Sequence, residues 1–441
     1  MPKALRKWHF SFQDTHLTHF GGLVLLQRFC QSLKLRRRLQ RQVKLSQRNA
    51  DYAPADLFLA LLFSMIAGVR RINKTQLLQY NGAFLGLLGL ERFPDETTLR
   101  RFLQRLGPQT IRQLVSLHDW LRAQFFSRPK PPAGFIFDLD SVVLTLYGHQ
   151  QGAHVGYNPK KKGRRSYHPA LCFEAYRQEF WHGSLRPGDT SANSGVIFFL
   201  QRCLAKVPSG MPRARIRVRA DAGFFAGKLI GLLERLSLGY VVVAKNYGPI
   251  KKCAREAKFF MLKNGFGAAE FRYQPHGWPK ARRFVVMRRP IPDDPVEAKQ
   301  LTLFKDRRYA YSVMVTNLKL APWRIWKFYQ PRATIEKNIR ELLYDMPLGK
   351  IPSGDWLANV AFFHMVLFAY DLVHWFRRLC LPRQYRAATV ETVRADFLNL
   401  PARLVSRAGH NVLQLPKNYF HRAAFESAFR KASSVRLSER I

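Results

Sequence analysis

Acidic side chains interrupt two short apolar runs of this chain, each with the length and composition of a buried strand. The first run, Phe135–Ser141, contains Asp138 and Asp140, and the second, Ile216–Ala220, is followed directly by Asp221. Because side chains alternate along a strand, Asp138 and Asp140 are expected on one face of it. An unpaired carboxylate buried there would cost on the order of several kcal/mol. The chain must therefore fold so that metal ions or a cluster of donors neutralise these groups.

A third acidic residue, Glu336, lies in a later segment with helical periodicity. Arg332 and Arg340 stand four residues before and after it, so the three side chains share one face of the predicted helix. Two flanking guanidiniums would keep the carboxylate ionised and could bind phosphate groups. Together with the aspartates, Glu336 could complete a site for divalent cations. The alternative interpretation is a row of solvated surface ion pairs, which are common and weak.

The charge of the chain favours a long polyanion as its partner. The 441 residues include 73 Lys and Arg against 29 Asp and Glu, a net charge of +44, and the excess is spread along the whole chain. Diffuse positive charge of this kind is typical of a folded protein that binds nucleic acid. A hydrophobic content of 47% favours a globular enzyme over a disordered basic protein. A generic RNA-binding protein is the competing interpretation at this point.

Cysteines and apolar segments indicate where such a protein works. Five cysteines are scattered without the paired spacing of a zinc or disulfide site, which fits a reducing cytoplasm. The first residues lack the apolar segment of a signal peptide. The most apolar stretch, residues 357–376, contains two histidines, an asparagine and an aspartate, which favours a buried helix over a membrane span. We expect a cytoplasmic protein with no membrane partner.

Changes in periodicity divide the chain into five segments and predict an α/β fold. The segments are 1–130 (helical, N-terminal), 131–245 (in the order β-β-β-α-β-α-β), 246–325 (a β-rich insertion), 326–378 (helical) and 379–441 (basic and helical). Asp140 would lie on the first strand of the sheet, and Asp221 would close the fourth. Active sites of α/β sheets collect at the carboxyl ends of strands, which is where Asp221 falls.

Several ordered motifs of this chain resemble a known family. They are Asp138–Leu144, Tyr147–Gln150, Gly156–Lys160, Ser166–Pro169, Arg219–Phe225 and Tyr329–Leu342. Over roughly residues 94–378 the chain resembles the DDE transposases of bacterial insertion sequences. It is most similar to the branch that carries a β-strand insertion between the second aspartate and the glutamate. The resemblance implies an RNase H-like mixed sheet core interrupted by that insertion, with a helical N-terminal region and a helical C-terminal tail.

The resemblance also implies roles for the acidic residues. Asp140, Asp221 and Glu336 would be the catalytic residues and the metal ligands, holding two Mg²⁺ ions per site, with Mn²⁺ able to substitute. Asp138, on the same strand face as Asp140, is an alternative ligand or a supporting group. Val142 departs from the first motif of the family, which has a threonine or a similar residue there.

Candidate DNA contacts come from the same resemblance and from composition. Tyr329 and Arg332 match the family's residues before the glutamate, whereas Leu343 stands where the family has a lysine, and Arg340 is a candidate to replace its phosphate contact. Trp323 could stack on an unpaired base, although core packing is the commoner role for a tryptophan at this spacing. A basic loop could follow a DNA backbone or simply be solvated. Its residues are Lys160, Lys161, Lys162, Arg164 and Arg165.

These expectations together predict a DNA transposase. It would bind the terminal inverted repeats of its element through the helical N-terminal region, cut double-stranded DNA by metal-assisted hydrolysis, and join the freed ends to target DNA. The resemblance implies a homodimer in the DNA complex, and we expect a nucleoid-associated location in a bacterial cytoplasm. Two other functions stay open from the sequence. One is a nuclease of the same fold that only hydrolyses DNA, and the other is a non-catalytic DNA-binding derivative.

Overall fold

A computed structural model gives the fold of the chain. It describes residues 10–45, 51–90, 92–126, 128, 130, 132–291, 304–305, 308–407 and 410–437. Residues 292–303 and 306–307 of the predicted insertion lie outside the described residues.

The helices are given in chain order. They are α1 (Leu23–Ser32), α2 (Leu35–Gln42), α3 (Pro54–Ile66), α4 (Gln76–Gln79), α5 (Gly82–Leu88), α6 (Glu96–Gln104), α7 (Pro108–Phe126), α8 (Val196–Ala205), α9 (Gly227–Arg235), α10 (Gly248–Glu256), α11 (Pro322–Tyr329), α12 (Ala333–Tyr344), α13 (Trp356–Cys380), α14 (Val390–Val393) and α15 (Arg422–Ser434).

The strands are β1 (Leu17–Thr18), β2 (Phe135–Ser141), β3 (Leu144–Thr145), β4 (His154–Val155), β5 (Arg165–Tyr167), β6 (Ala170–Glu174), β7 (Glu179–Ser184), β8 (Ile216–Ala220), β9 (Gly239–Val243), β10 (Phe260–Met261), β11 (Gly267–Tyr273), β12 (Arg282–Pro290), β13 (Phe304–Lys305), β14 (Tyr309–Thr316), β15 (Ala402–Arg407) and β16 (His410–Gln414).

The chain divides into two compact units. The first comprises Met1–Leu117, Tyr344–Ser353 and Leu357–Ile441, and the second comprises His118–Leu343 and Gly354–Trp356. All of the acidic residues singled out in the sequence lie in the second unit.

The first unit is mainly helical, as the sequence predicts for the N-terminal region. Asp95 begins α6 by accepting a hydrogen bond from the backbone N–H of Thr98 at 2.8 Å, a standard helix N-cap. That bond lowers the pKa of the Asp95 carboxyl. Phe58 of α3 packs edge-on against Phe102 of α6, with ring centroids 4.9 Å apart. Apolar stripes of these amphipathic helices therefore meet in a core.

Helix α13 contains the most apolar segment of the chain. Within the described residues it is long and apolar enough, by length and composition, to cross a membrane, but 78% of its most apolar window is buried inside the protein. Phe376 of this helix packs against Phe29 of α1. This burial is what the polar residues inside the segment predict for a core helix.

The first unit also contains a small sheet that the helical periodicity did not reveal. Strand β15 pairs with β16 and with β1, so the predicted helical C-terminal region contains a β-hairpin. Alternating residues such as Val405 and Val412 face each other across this hairpin. Its third strand comes from the start of the chain, and so distant a partner cannot be read from local sequence.

The second unit is built on one large mixed sheet. Within the described residues its strand order is β10-β11-β12-β14-β9-β8-β2-β6-β7, with β13 beside β14. Strand β2 runs parallel to β8 and antiparallel to β6. Five strands (β2, β6, β7, β8 and β9) form the core, with the first strand in the middle, an antiparallel hairpin on one side and two parallel strands on the other. The predicted α/β class with an RNase H-like mixed sheet is confirmed.

The two faces of this sheet differ in chemistry. Phe137 and Leu139 of β2 belong to one buried cluster with Val218 and Ala220 of β8, and this cluster includes the apolar sides of α8, α9 and α10. Because strands alternate, Asp138, Asp140 and Arg219 point to the other face. On that face α11 packs on the sheet through Ile325 and Tyr329. The polar residues thus lie on the side that α11 covers.

The predicted β-rich insertion extends the core sheet. Strand β14 pairs antiparallel with β9, with Met314 opposite Val243, and β12 and β11 follow outward. The insertion also contains α10, which the sequence reading missed. Pro249 stands in the first turn of α10, and Ile250 and Ala254, one turn apart, are fully buried.

Candidate active site

The pairing of β2 with β8 brings the two aspartate motifs together. Leu139 lies opposite Ala220 in the parallel register, so Asp140 and Asp221 are the next residues at the carboxyl ends of the two strands. Adjacent strands lie about 4.8 Å apart. Asp221 follows its strand directly and accepts a hydrogen bond from the backbone N–H of Gly223 at 3.0 Å. Sheet topology therefore joins acidic residues that are 81 positions apart.

Arg332 connects the glutamate segment to this edge of the sheet. Its guanidinium lies 3.1 Å from Oδ2 of Asp140 and donates a hydrogen bond to the carbonyl of Leu139 at 2.9 Å. Arg332 is 5% exposed, so this charge is almost entirely inside the protein. Because Arg332 immediately precedes α12, its contacts hold the start of that helix near Asp140. Glu336 lies in the first turn of α12.

The electrostatics of Asp140 link all three predicted catalytic acids. Burial raises the pKa of the Asp140 carboxyl to about 6, Arg332 opposes the rise, and the negative charges of Asp221 and Glu336 add to it. Like charges act on each other in this way only where they are near neighbours. The fold has thus gathered carboxylates that Arg332 alone does not neutralise.

Exposure increases across the three acids, so the site opens at the sheet edge. Asp140 is buried, Asp221 is half-buried and Glu336 is exposed. Among the described residues, no three acidic, histidine or cysteine side chains are already arranged around a single metal position. The donor set nevertheless suits hard divalent cations, which prefer carboxylate oxygens. A cation would relieve the repulsion that adds to the effect of burial on the pKa of Asp140.

Asp138 takes a different partner from Asp140. Both of its carboxylate oxygens accept hydrogen bonds from Arg219, at 2.6 and 2.7 Å, and the two residues lie directly opposite each other in the strand register. Their side chains are each 3% exposed. The structure therefore brings Asp138 into a buried ion pair beside the three acids.

His168 forms a second polar contact at this edge. Its Nδ1 lies 2.6 Å from the carbonyl of Thr190, which only accepts, so Nδ1 carries the proton. Its Nε2, 3.0 Å from Oγ of Ser141, then accepts the hydroxyl proton of that residue. Burial lowers the pKa of His168, so the ring is held neutral. This pair adjoins Asp140 through Ser141.

The other predicted contact residues are divided between core and surface. Tyr329 is buried in the apolar cluster beneath α11, and burial raises its pKa to about 12. Trp323 is half-buried against the same cluster, with Lys327 Nζ 4.8 Å from its ring centroid. Arg340 is exposed on α12, one turn beyond Glu336.

The predicted basic loop is exposed and lies beside the aromatic side chain of Tyr147. It joins the short strands β4 and β5, which form a small sheet with β3. Lys161 Nζ and the Arg164 guanidinium lie 5.7 and 5.9 Å from the ring centroid of Tyr147, which is 73% exposed. Five cations are solvent-accessible here: Lys160, Lys161, Lys162, Arg164 and Arg165.

Two residues of the site were not identified as such from the sequence. Arg219 and His168 fall inside the motifs Arg219–Phe225 and Ser166–Pro169, but the sequence assigns neither of them a role in the site. A signal for Arg219 was present, because Arg219 precedes Asp221 by two residues as Asp138 precedes Asp140. Opposite charges at matching positions of two neighbouring strands indicate a cross-strand ion pair.

A family model matches nearly the whole chain. The model, described as transposase DDE domain, group 1, matches residues 2–437. No curated protein matches the chain.

Solved structures are similar to the chain at low identity. The piggyBac transposase synaptic complex with hairpin DNA is 10% identical, with a TM-score of 0.41 over 80% of this chain and 76% of that chain. The Drosophila P element transposase strand transfer complex is 12% identical, with a TM-score of 0.24 over 52% of each chain. The Mos1 transposase paired-end complex with the left transposon end is 12% identical, with a TM-score of 0.18 over 45% of this chain and 60% of that chain.

Proposed function

Since the chain belongs to the DDE transposase family and is therefore a DNA transposase, we propose that Asp140, Asp221 and Glu336 are its catalytic carboxylates. Enzymes of this family cut and join DNA and use divalent metal ions.

One observation carries the assignment of the three acids. The β2–β8 register puts Asp140 and Asp221 at neighbouring strand ends, and Arg332, one helical turn before Glu336, contacts Asp140, although these residues are far apart in sequence. Three carboxylates gathered at the carboxyl edge of a sheet suit the binding of hard cations. Their increasing exposure from Asp140 to Glu336 leaves one side open to a DNA backbone.

Asp140, Asp221 and Glu336 would hold two Mg²⁺ ions, with Mn²⁺ able to substitute. Bound there, the ions would supply Lewis acidity, activating a water or a 3′-hydroxyl and stabilising the leaving oxygen. Arg332 keeps Asp140 ionised and oriented through its contacts with the carboxylate and with the carbonyl of Leu139. The buried ring of Tyr329, whose centroid is 6.0 Å from that guanidinium, supports Arg332 from the apolar side.

The DNA partners follow from charge and topology. We propose that the exposed basic loop at Lys160–Arg165 and Arg340 bind phosphates beside the site. The helical N-terminal region would bind terminal inverted repeats, and a homodimer would hold two such ends while target DNA is joined. A bacterial insertion sequence as the source, and a nucleoid-associated cytoplasmic location, belong to the same proposal.

The test is strand transfer of a pre-cut DNA end by the full chain, with Mg²⁺ and Mn²⁺ supplied separately. Asp140→Ala, Asp221→Ala and Glu336→Gln are each expected to lower joining by roughly 100-fold or more, because each removes a carboxylate needed to stabilise charge in the transition state. Chelation of divalent ions is expected to abolish the reaction in the wild type. Binding of the same DNA in the absence of divalent ions should persist in all three variants.

The matched control is Glu256→Gln, which removes an exposed carboxylate at the end of α10. It should join DNA at the wild-type rate. Full activity in any of the three site variants would overturn that residue's assignment. Metal-dependent cutting without joining would support a nuclease, and metal-independent binding without either reaction would support a non-catalytic derivative.

A further inference from the structure

We propose that Asp138 and Arg219 form a clamp that positions the segment carrying Arg332 and Glu336 over the carboxyl ends of β2 and β8. The clamp consists of the Asp138 carboxylate, the Arg219 guanidinium and the backbone carbonyl of Phe328. Asp138 is then a positioning residue and not a metal ligand. This inference rests on the proposed function, since it gives the clamp a purpose in the assembly of that site.

The first half of the clamp joins two strands of the sheet. Arg219 donates from Nε and Nη2 to the two oxygens of Asp138, in the bidentate geometry that makes such pairs strong and directional. Both side chains are 3% exposed. A pair this deeply buried has few alternative conformations, so it fixes where the remaining guanidinium nitrogen points.

The second half joins the sheet to the helix above it. Nη1 of Arg219 donates to the carbonyl of Phe328 at 2.6 Å, and the guanidinium carbon lies 5.3 Å from the ring centroid of that residue. Phe328 lies in the last turn of α11, just before the 3₁₀ turn Gln330–Arg332 that leads into α12. Arg219 therefore caps α11 from the sheet.

A second arginine, Arg332, also connects the helical segment with the sheet, but it reaches from the helical segment to the strand. There it contacts Asp140 and the carbonyl of Leu139. The turn between Phe328 and Arg332 is thus tied to β2 and β8 at both of its ends. Glu336 follows one helical turn later, so its position over the sheet edge depends on both ties.

The clamp also explains why two aspartates on one strand face differ. Both oxygens of Asp138 are taken by Arg219, whereas Asp140 keeps an oxygen free of Arg332 and lies beside Asp221. A cavity of about 340 Å³ borders the clamp and is lined by Asp138, Arg219 and Phe328 among others. Without the clamp, α12 has room to shift toward this cavity.

The experiment compares Asp138→Asn, Arg219→Met and the double variant in the full chain. It measures the rate of joining at saturating DNA, the Kd for DNA, and the Mn²⁺ concentration for half-maximal rate. It also measures hydrogen exchange of the backbone over residues 328–343 in protein free of metal and DNA. Arg217→Met is the matched control, because Arg217 is on the same strand and lies 5.4 Å from the Phe328 ring without pairing to Asp138.

Each single variant is expected to join DNA roughly 10- to 100-fold more slowly, because small misplacement of catalytic groups is costly. The Kd for DNA should be unchanged, the Mn²⁺ requirement should rise, and exchange over 328–343 should accelerate. The double variant should be no worse than the poorer single variant, since both changes break one interaction. Arg217→Met should match the wild type in all four measurements.

Three results would overturn the clamp. One is loss of activity in Asp138→Asn with full activity in Arg219→Met, as expected of a metal ligand. The others are additive losses in the double variant and unchanged exchange over 328–343.

If Arg219→Met does not fold, the same rate and exchange measurements are made on Arg219→Lys. Lysine keeps the charge but lacks the planar fork of three nitrogens that reaches both oxygens of Asp138 and the carbonyl of Phe328, so wild-type exchange and rate in Arg219→Lys would refute the clamp. The exchange measurement stands apart from activity, so it holds even if Asp140 proves dispensable.

Discussion

At the scale of single residues, the buried carboxylates of the second unit are distinguished by their neighbours. Asp138 faces one guanidinium that satisfies both of its oxygens, and Asp140 faces one guanidinium together with two like charges. A third, Glu174, is fully buried and is held by backbone donors. It accepts bonds from the backbone N–H groups of Ile136 and Arg177. Burial raises the pKa of Glu174 to about 7.

The Glu174 pKa predicts a pH dependence of stability. Because the folded-state pKa lies above the ordinary value, the protonated form favours folding; this stabilisation is complete below pH 4.5 and is lost as the pH rises through 7. Between pH 5 and pH 8 the wild type should lose about 2 kcal/mol more than Glu174→Gln, which cannot ionise. Urea unfolding of both proteins at the two pH values measures the difference. Equal losses in the two proteins would show that Glu174 does not titrate in this range.

Sequence reasoning reached the acids of the site more readily than their partners. Carboxylates inside apolar runs stand out, because burial without compensation is costly. Arg219 does not stand out among 73 basic residues, and the spacing of Arg332 predicts Glu336 or a phosphate as its partner, although these two arginines determine how Asp138 and Asp140 differ. The identity of an ion pair depends on strand register, and register follows from the whole sheet.

At the scale of elements, the segment between β2 and β6 contains the small sheet formed by β3, β5 and β4. Gly188 approaches the backbone of this sheet so closely that a Cβ there would lie 2.1 Å from the carbonyl oxygen of Ser166 and 2.3 Å from that of His154. Both contacts are to backbone atoms, which cannot rotate away. The turn that contains Gly188 must therefore remain without a side chain at this position.

Gly188→Ala is expected to destabilise the second unit by about 3 kcal/mol, the upper range for overpacking at a rigid site. The matched control is Gly231→Ala on α9, where a Cβ meets nothing within 4 Å. That variant should be stabilised by about 0.5–1 kcal/mol, because alanine loses less conformational entropy than glycine in a helix. Unfolding midpoints in urea compare the two. An unchanged unfolding midpoint in Gly188→Ala would show that the backbone of Gly188 can move away from the carbonyls of Ser166 and His154 at little cost.

Elements with strong local patterns were predicted within a residue or two. The strand Ile216–Ala220 has the predicted bounds, and the helix predicted around Glu336 is present as α12. Helix α10 was missed because it is short and lies among strands, and the β15–β16 hairpin was missed because its third strand is remote in sequence. Local periodicity reveals an element, whereas pairing between distant segments does not.

At the scale of the whole molecule, charge sets how the protein meets DNA. With a net charge of +44, binding should depend steeply on salt, because each neutralised phosphate releases a counterion. The basic loop concentrates this charge beside an exposed tyrosine in the same unit as the acidic cluster. Removing positive charge from this loop should therefore weaken phosphate contacts, which do not depend on the base sequence.

Lys161→Ala combined with Arg164→Ala is expected to weaken binding similarly for all DNA sequences and to reduce the slope of log K against log salt by roughly 2. Titrations at several salt concentrations measure the slope. The matched control is Lys228→Ala with Lys252→Ala, two exposed lysines on α9 and α10, which cover the other face of the sheet. If both pairs changed the slope equally, the loop would be ordinary surface charge.

The return of β14 to the edge of β9 has a consequence for how such a protein can diversify. Because Met314 of β14 pairs with Val243 of β9, the inserted segment leaves the core sheet at the end of β9 and returns to it beside the same strand. Adding or removing hairpins at the outer strands of the insertion would leave the pairing of β14 with β9 unchanged, and Glu336 would keep its position. The outer strands of the insertion can therefore vary while the arrangement of the acidic residues is inherited unchanged.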